Sequence, residues 1–317
     1  MQHYMSINDL PDIQAAIAAC QAIKKNPNAY RDLGKHKTLG MIFMNPSLRT
    51  KISTAQAAMN LGMDILPIDF NTGAWALEFE DNVVMDADKA EHVREAAAVI
   101  GQYCDMIAIR SFAKLKDKSD DEKEQIFHAF QKFSGKPIIN LESALRHPLQ
   151  TLTDLLTIEE HKKVKKPKVV LSWAPHEKAL PHAVANSFVE GIQNMDYEFV
   201  ITHPKGYELD KNITKNSAIE YDQDKALEGA DFVYVKNWSS YQDYGQVMNK
   251  DRSWTVNKKK LSVSPNAKLM HCLPVRRDLV VGSDVLDSPQ SIVIEQAHNR
   301  LFAAQYVLKY FLEHKCL

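Results

Sequence analysis

Eight short apolar runs punctuate the chain, and most do not alternate with polar residues. They are Thr38–Met44, Asp64–Asp69, Met106–Arg110, Pro137–Asn140, Lys168–Trp173, Tyr197–Ile201, Phe232–Val235 and Leu269–His271. Most are rich in Val and Ile and too short for helices. Strands buried on both faces of a parallel sheet read this way. Helical patterns lie between them. Lys51 to Leu61 is one, and Glu91 to Tyr103 carries Val93, Ala96, Ala97, Ile100 and Tyr103 on one side. Leu180 to Met195 is similar. This alternation predicts an α/β protein with right-handed crossovers. At 317 residues the chain is long for a single core. The expected architecture is two doubly wound parallel-sheet domains joined by linking helices, spanning 1–148 and 149–290. Thr151 to His161 reads as a linking helix, followed by the solvated basic run Lys162 to Pro167. Ser291 to Glu313 carries a long amphipathic pattern, and 291–317 is expected to be a C-terminal helix packing back on the first domain.

The chemistry concentrates first at Ser47-Leu48-Arg49-Thr50. Asn45-Pro46 ends the preceding strand, and Ser47 reads as the N-cap of the next helix. Strand, tight turn and helix start aim unpaired backbone N–H groups at one point, which suits an anion. Arg49 adds a bidentate cation, and Ser47 and Thr50 add hydroxyl donors. Many Ser/Thr-rich helix starts bind nothing, so the stretch gains meaning from its company. Arg110 ends an apolar strand, where ligands bind in open α/β sheets, although a surface ion pair is the alternative. His147-Pro148-Leu149-Gln150 stands at the expected domain junction, with Pro148 holding His147 extended. His271-Cys272-Leu273-Pro274-Val275-Arg276-Arg277 ends another run. Cys272 there is either a nucleophile or a small buried hydrophobe. Arg300, near the start of the last helix, is an anion ligand or a surface charge.

Several classes are disfavoured. No two glycines stand two apart, and no Walker A sequence occurs, which speaks against dinucleotide and nucleoside triphosphate sites of those kinds. A net charge of −1 gives no electrostatic case for nucleic acid or an anionic membrane. No run approaches a membrane span, and the N-terminus lacks a signal-peptide pattern. Cys20, Cys104, Cys272 and Cys316 lack metal-ligand spacing and read as reduced thiols of a cytoplasmic protein.

Taken in order, Ser47-Leu48-Arg49-Thr50, Arg110, His147-Pro148-Leu149-Gln150, His271-Cys272-Leu273-Pro274 and Arg300 resemble the carbamoyltransferases over the whole chain. That family carries S-T-R-T, H-P-x-Q and H-C-L-P at these places. The last motif is of the ornithine type, where aspartate-type members carry H-P-L-P. Leu48 replaces the usual Thr and keeps the backbone N–H. In place of the S-M-G loop of ornithine enzymes, the run Phe232–Val235 continues into Lys236-Asn237-Trp238. With Trp75 and Trp173-Ala174-Pro175-His176, this is similar to the branch acting on N-acylated ornithine. A lysine there would repel the α-ammonium of free ornithine but not an acylated nitrogen. Within that branch, acetyl enzymes carry Glu at the position of Ala90 and succinyl enzymes carry Pro. Ala90 does not repel a second carboxylate, and Lys178 offers a cation where succinyl enzymes carry Arg. Both points favour succinyl.

The resemblance implies carbamoyl transfer from carbamoyl phosphate to the δ-amine of an N-acylornithine, a step of arginine biosynthesis. Ser47, Leu48, Arg49, Thr50 and Arg110 would hold carbamoyl phosphate, with Trp75 supplied from an adjacent subunit of a homotrimer. His147, Gln150 and Arg300 would polarise the carbamoyl oxygen. Backbone carbonyls after His271 and Cys272, at Cys272 and Leu273, would bind the carbamoyl nitrogen, making Cys272 an orienting group. Ala90, Glu142, His176, Lys178, Lys236 and Arg276 would face the acylornithine. No metal or other cofactor is implied. The alternatives are an N-acetylornithine enzyme and a non-catalytic phosphometabolite-binding protein on the same scaffold.

Overall fold

The computed structural model of the chain describes residues 1–70 and 73–314. It forms two units. One comprises Met1–Lys114, Ser119–Leu152 and the chain from Arg300 onward; the other comprises Leu115–Lys118 and Thr153–Asn299. The divides after Leu152 and Asn299 fall inside helices, Pro148–His161 and Val293–Glu313. Each of these helices therefore begins in one unit and ends in the other. The four residues Leu115–Lys118 leave the first unit's sequence and belong by contact to the second.

The first unit contains β1 (Thr38–Phe43), β2 (Asp64–Asp69), β3 (Leu77–Glu78), β4 (Glu91–His92), β5 (Met106–Arg110) and β6 (Ile138–Glu142). Its main sheet has the order β2-β1-β5-β6, all parallel, while β3 and β4 form a separate parallel pair. The winding reverses between β1 and β5. The carboxyl ends of those two strands thus flank a crevice of the kind that binds ligands. Phe43 is level with Arg110 there. The second unit contains β7 (Lys168–Trp173), β8 (Glu198–Thr202), β9 (Ala218–Glu220), β10 (Phe232–Lys236) and β11 (Lys268–Met270). Its order is β11-β10-β7-β8-β9, again parallel. Here the reversal lies between β7 and β10, with Trp173 level with Lys236.

Every apolar run read from the sequence forms a strand, and each pairs in parallel. The reason is packing. Ile42, Ile107 and Ile109 meet Val93, Ala97, Phe127 and Phe130 in one core. Val170, Val233, Val235 and Leu269 meet Leu227, Leu261, Val281 and Val285 in the other. Each such side chain contributes about 1.5–3 kcal/mol on burial. Two expectations change. β2 is not buried on both faces: Asp64, Leu66 and Pro67 are exposed, because β2 is an edge strand. Pro67 is tolerated there for the same reason. The helix expected from Glu91 starts at Val93, with His92 as N-cap and Glu91–His92 diverted into β4. The short strand β9 has two exposed residues of three and gives no apolar signal. Among the described residues no helix is long and apolar enough to cross a membrane. Cys20, Cys104 and Cys272 are not joined in disulfides, and Cys316 lies outside the described residues.

Candidate active site

In the first unit, the turns after β1 and β5 are tied together: Asn45 Oδ1 accepts the Phe112 N–H at 2.9 Å. The helix Arg49–Asn60 then begins with Leu48, not Ser47, at its N-cap position. Leu48 has already taken a helical conformation (φ −79°, ψ −62°), which moves the start one residue on. The cap read at Ser47 is therefore corrected: Leu48 has no side-chain acceptor, and no side chain caps this helix. A helix start without an internal acceptor for its first N–H groups is what an anion site needs.

Thr50 is the hub of the site. It is buried, and its hydroxyl oxygen accepts from Arg300 Nη2 at 2.6 Å and from Arg110 Nη1 at 3.3 Å. Two guanidinium donors on one oxygen leave the hydroxyl proton for donation to a ligand. Arg300, also buried, donates through Nη1 to Gln150 Oε1 at 2.8 Å. Its Nη2 also lies 3.1 Å from His147 Nε2. A guanidinium accepts nothing, so Nε2 is the acceptor and the neutral His147 ring carries its proton on Nδ1. Arg110 pairs with Glu142 Oε2 at 2.7 Å, and the same oxygen lies 3.8 Å from His147 Nε2. Thr50, Arg110, Glu142, His147, Gln150 and Arg300 therefore form one connected cluster. Arg49 stands one residue before Thr50 on the same helix turn.

Trp75 and Ala90 sit elsewhere in this unit. Trp75 is 60% exposed, and its indole N–H donates to Glu91 Oε2 at 2.8 Å. Ala90 is exposed between two anchors. One is that Glu91 contact, and the other is Lys89 on both oxygens of Glu78 at 2.9 and 3.0 Å. Backbone donors and Lys89 hold the Glu78 carboxyl down at about 2.

The second unit gathers the other candidates at its own strand ends. Lys236 closes β10 and is buried, whereas Lys178 and Arg276 are exposed. Arg276 Nε donates to His176 Nε2 at 3.2 Å, while His176 Nδ1 lies 3.0 Å from the Lys178 N–H and 2.9 Å from the Lys178 carbonyl. Burial lowers the His176 pKa first; the Lys178 carbonyl opposes this, and the Arg276 and Lys236 charges add to it. His176, Lys178, Asn237, Ser239 and Gln246 line one recess. Asn237 Nδ2 donates to the Ala174 carbonyl at 2.6 Å, and Trp173 Nε1 to the Trp238 carbonyl at 2.9 Å, which joins the loops after β7 and β10.

The His271-Cys272-Leu273-Pro274 motif follows β11. The His271 N–H donates to Gln296 Oε1 at 2.9 Å, and Gln296 donates to Asp154 Oδ1 at 2.7 Å. His271 Nδ1 accepts the Leu273 N–H at 2.8 Å. Leu273 has φ +55°, a left-handed conformation that costs a non-glycine residue about 1–3 kcal/mol and recurs at functional loops. The Leu273–Pro274 peptide is cis. Cys272 is half-buried.

Sequence reasoning missed the supports of these groups: Gln296 and Asp154 beneath His271, and His182 beneath the loop after β10. His182 Nε2 donates to the Ser239 carbonyl at 2.7 Å, and the ring stacks on Tyr244 and meets Tyr241 edge-on. Gly245 closes the same loop at φ +75°, where a Cβ would run into the Leu115 carbonyl. No spacing signals such tertiary contacts. Burial pushes the His182 pKa down from 6.5 to about 4, opposed by the Ser239 carbonyl and helped by the Lys118 charge. A lowered folded pKa gives stability that is present above 6.5 and lost as pH falls toward 4. We expect this histidine to remove about 3 kcal/mol of stability across that window. Urea unfolding of wild type and His182→Gln from pH 7 to 4 checks this. Equal acid losses in the two proteins would contradict it.

Two parallel-sheet units, one with Arg110 and Arg300 meeting on the Thr50 hydroxyl at its switch point, are the frame of an α/β protein of the carbamoyltransferase kind. The chain belongs to the aspartate/ornithine carbamoyltransferase family. Residues 2–160 match the family model described as its carbamoyl-P binding domain, and residues 181–311 the one described as its Asp/Orn binding domain. An N-succinylornithine carbamoyltransferase from Bacteroides fragilis is 52% identical over 316 residues, covering 99% of both chains. An N-acetylornithine carbamoyltransferase from Xanthomonas axonopodis pv. citri is 31% identical over 329 residues, covering 97% of this chain and 96% of the relative. Among solved structures, an N-acetyl-L-ornithine transcarbamylase with one glutamate changed to valine superposes with TM-score 0.92 at 31% identity. It covers 98% of this chain and 99% of its own, and it holds carbamyl phosphate and N-succinyl-L-norvaline. The variant with alanine at that glutamate holds the same two ligands, with TM-score 0.91.

Proposed function

We propose that this protein transfers the carbamoyl group of carbamoyl phosphate to the δ-amine of N-succinyl-L-ornithine, giving N-succinyl-L-citrulline and phosphate. The observation that carries the donor half of the reading is the Thr50–Arg110–Arg300 cluster at an uncapped helix start. Arg49, Arg110 and the Ser47 and Thr50 hydroxyls hold the phosphate. The δ-nitrogen attacks the carbamoyl carbon, the bond from that carbon to the phosphate oxygen breaks, and the departing phosphate takes the proton released by nitrogen. Arg300, with His147 and Gln150 around it, receives the negative charge that grows on the carbamoyl oxygen. Such preorganised donors commonly contribute the largest share of the rate. The Cys272 and Leu273 carbonyls orient the carbamoyl nitrogen.

For the acceptor, Lys236 closes β10, and His176, Lys178 and Arg276 stand nearby in the second unit. Their cations suit the two carboxylates of N-succinylornithine better than the single carboxylate of N-acetylornithine. Ala90 stands where the acetyl branch carries glutamate, and removal of a glutamate in the acetyl relative accompanies a succinyl ligand. We further propose a homotrimer in which Trp75 serves a neighbouring subunit's site. Measuring kcat/KM for N-succinyl-, N-acetyl- and free ornithine tests the reading: the succinyl compound ranks first, and a faster acetyl compound sinks the assignment.

Because the amine attacks directly, no carbamoyl–enzyme forms. Cys272→Ser is therefore expected to keep measurable turnover. Mass spectrometric capture of a carbamoyl adduct on Cys272 would revive covalent catalysis.

A further inference from the structure

The loop after β11 has to be held, because Leu273 at φ +55° is in a left-handed conformation that a leucine leaves when it is free to. The Leu273 N–H donates to His271 Nδ1 at 2.8 Å. That N–H belongs to the same peptide as the Cys272 carbonyl, so the imidazole fixes where this carbonyl points. The His271 N–H in turn donates to Gln296 Oε1 at 2.9 Å. An N–H only donates, so the Gln296 oxygen faces His271 and its amide nitrogen faces away. There it meets Asp154 Oδ1 at 2.7 Å. Gln296 and Asp154 are both buried, on the helices Val293–Glu313 and Pro148–His161. One turn further on, Asn299 Nδ2 donates to Thr157 Oγ1 at 3.0 Å and to Glu160 Oε2 at 2.7 Å. This second tie keeps the two helices in register at the Gln296–Asp154 contact.

The chain Asp154–Gln296–His271–Leu273 can form only one way round. A hydrogen-bonded chain anchored on a buried carboxylate is stronger than a neutral one. Its far end is the peptide that carries the Cys272 carbonyl. Resting on the proposed function, we propose that Gln296 and Asp154 are positioning residues for carbamoyl transfer: the Gln296 amide links the Asp154 carboxylate to the His271 backbone and so aims the Cys272 and Leu273 carbonyls at the carbamoyl nitrogen. Neither residue touches substrate. The titratable groups facing the chain are Asp154, His271, Cys272 and Tyr234 of β10. Burial first, then the Asp154 charge, pushes the Tyr234 pKa far up, so this hydroxyl keeps its proton.

Two substitutions at one position test this. Gln296→Met keeps the volume and removes both polar ends. With carbamoyl phosphate and N-succinylornithine it should lower kcat about tenfold or more, since small displacements at a reacting centre cost up to about a hundredfold. Inorganic phosphate, assigned to first-unit residues, should bind within about twofold of wild type by calorimetry. Gln296→Glu still offers an acceptor to the His271 N–H. It can face Asp154 only while the two carboxylates share a proton, and burial beside a like charge raises the pKa at which that proton leaves. The chain is therefore whole at low pH and broken at high pH. The ratio of Gln296→Glu to wild-type kcat should fall about tenfold between about pH 6 and pH 9, while the Gln296→Met ratio stays flat. A Gln296→Glu profile parallel to wild type, or wild-type kcat in Gln296→Met, overturns the positioning role. Loss of phosphate binding together with kcat shows a merely structural role and overturns it too. Gln296→Met places no charge in the core, so it decides the matter even if Gln296→Glu fails to fold. If wild type carbamoylates neither N-succinyl- nor N-acetylornithine, the proposed function falls and the positioning role with it. A reacting wild type matched by its variants removes the positioning role alone.

Discussion

Arg300→Ala is expected to lower kcat/KM by about a thousandfold or more. Loss of one preorganised donor to a developing oxyanion typically costs 10²–10³ in rate. Arg300 does more than that. It orders the Thr50 hydroxyl at 2.6 Å, the Gln150 amide at 2.8 Å and the His147 ring at 3.1 Å. All three are buried, so truncation removes a donor from each of them at once. A buried polar group left unsatisfied costs about 1–3 kcal/mol. The loss therefore falls on the site's geometry as well as on its charge. Arg300→Lys should recover little, since an ammonium is a point charge and cannot serve Gln150, Thr50 and His147 in one fixed fork. Steady-state kinetics with carbamoyl phosphate as the varied substrate, with a carbamoyl phosphate binding isotherm beside them, separate chemistry from affinity. Either variant turning over within tenfold of wild type would remove Arg300 from the catalytic centre.

The sheets were legible because burial on both faces leaves an unbroken apolar run, as in Met106–Arg110, which matches β5 to the residue. Arg110 was legible for a related reason: a charge ending such a run stands at the carboxyl edge, where open sheets bind ligands. What the charge pairs with was not. The register slip at Leu141 that delivers Glu142 to Arg110 changes no residue type and no period. Ser47 shows the opposite failure. A serine before a helix pattern satisfies the local rule for a cap, yet the helical backbone of Leu48 shifts the start past it. The edge strand β2 failed for want of a neighbour, which is a fact of topology. In the second unit the strand ends were readable, but the post at His182 and the Gln296–Asp154 support join residues far apart in sequence. The pattern that reveals strands is blind to such joins.

Ala90→Glu is expected to shift preference from N-succinylornithine toward N-acetylornithine by about tenfold or more. The two acceptors differ chiefly by the terminal carboxylate of the succinyl group. Two like charges about 5 Å apart repel by roughly 3 kcal/mol at an effective dielectric near 20. Salt and exposure weaken this, since Ala90 is exposed. About 1.4 kcal/mol still amounts to tenfold in a binding constant. The acetyl group carries no charge and loses nothing to the new carboxylate. The substitution should spare the fold. Its neighbours are already fixed, Lys89 on Glu78 and Glu91 on Trp75, and exposed changes of this kind usually stay within about 0.5 kcal/mol. Stability and selectivity therefore separate cleanly. The ratio of kcat/KM for the two acceptors, in wild type and variant, is the measurement. A ratio that does not move would mean that position 90 does not face the acyl group. The succinyl preference would then rest on Lys178, Lys236 and Arg276 alone, and replacing each by Met would show which of them meets the terminal carboxylate.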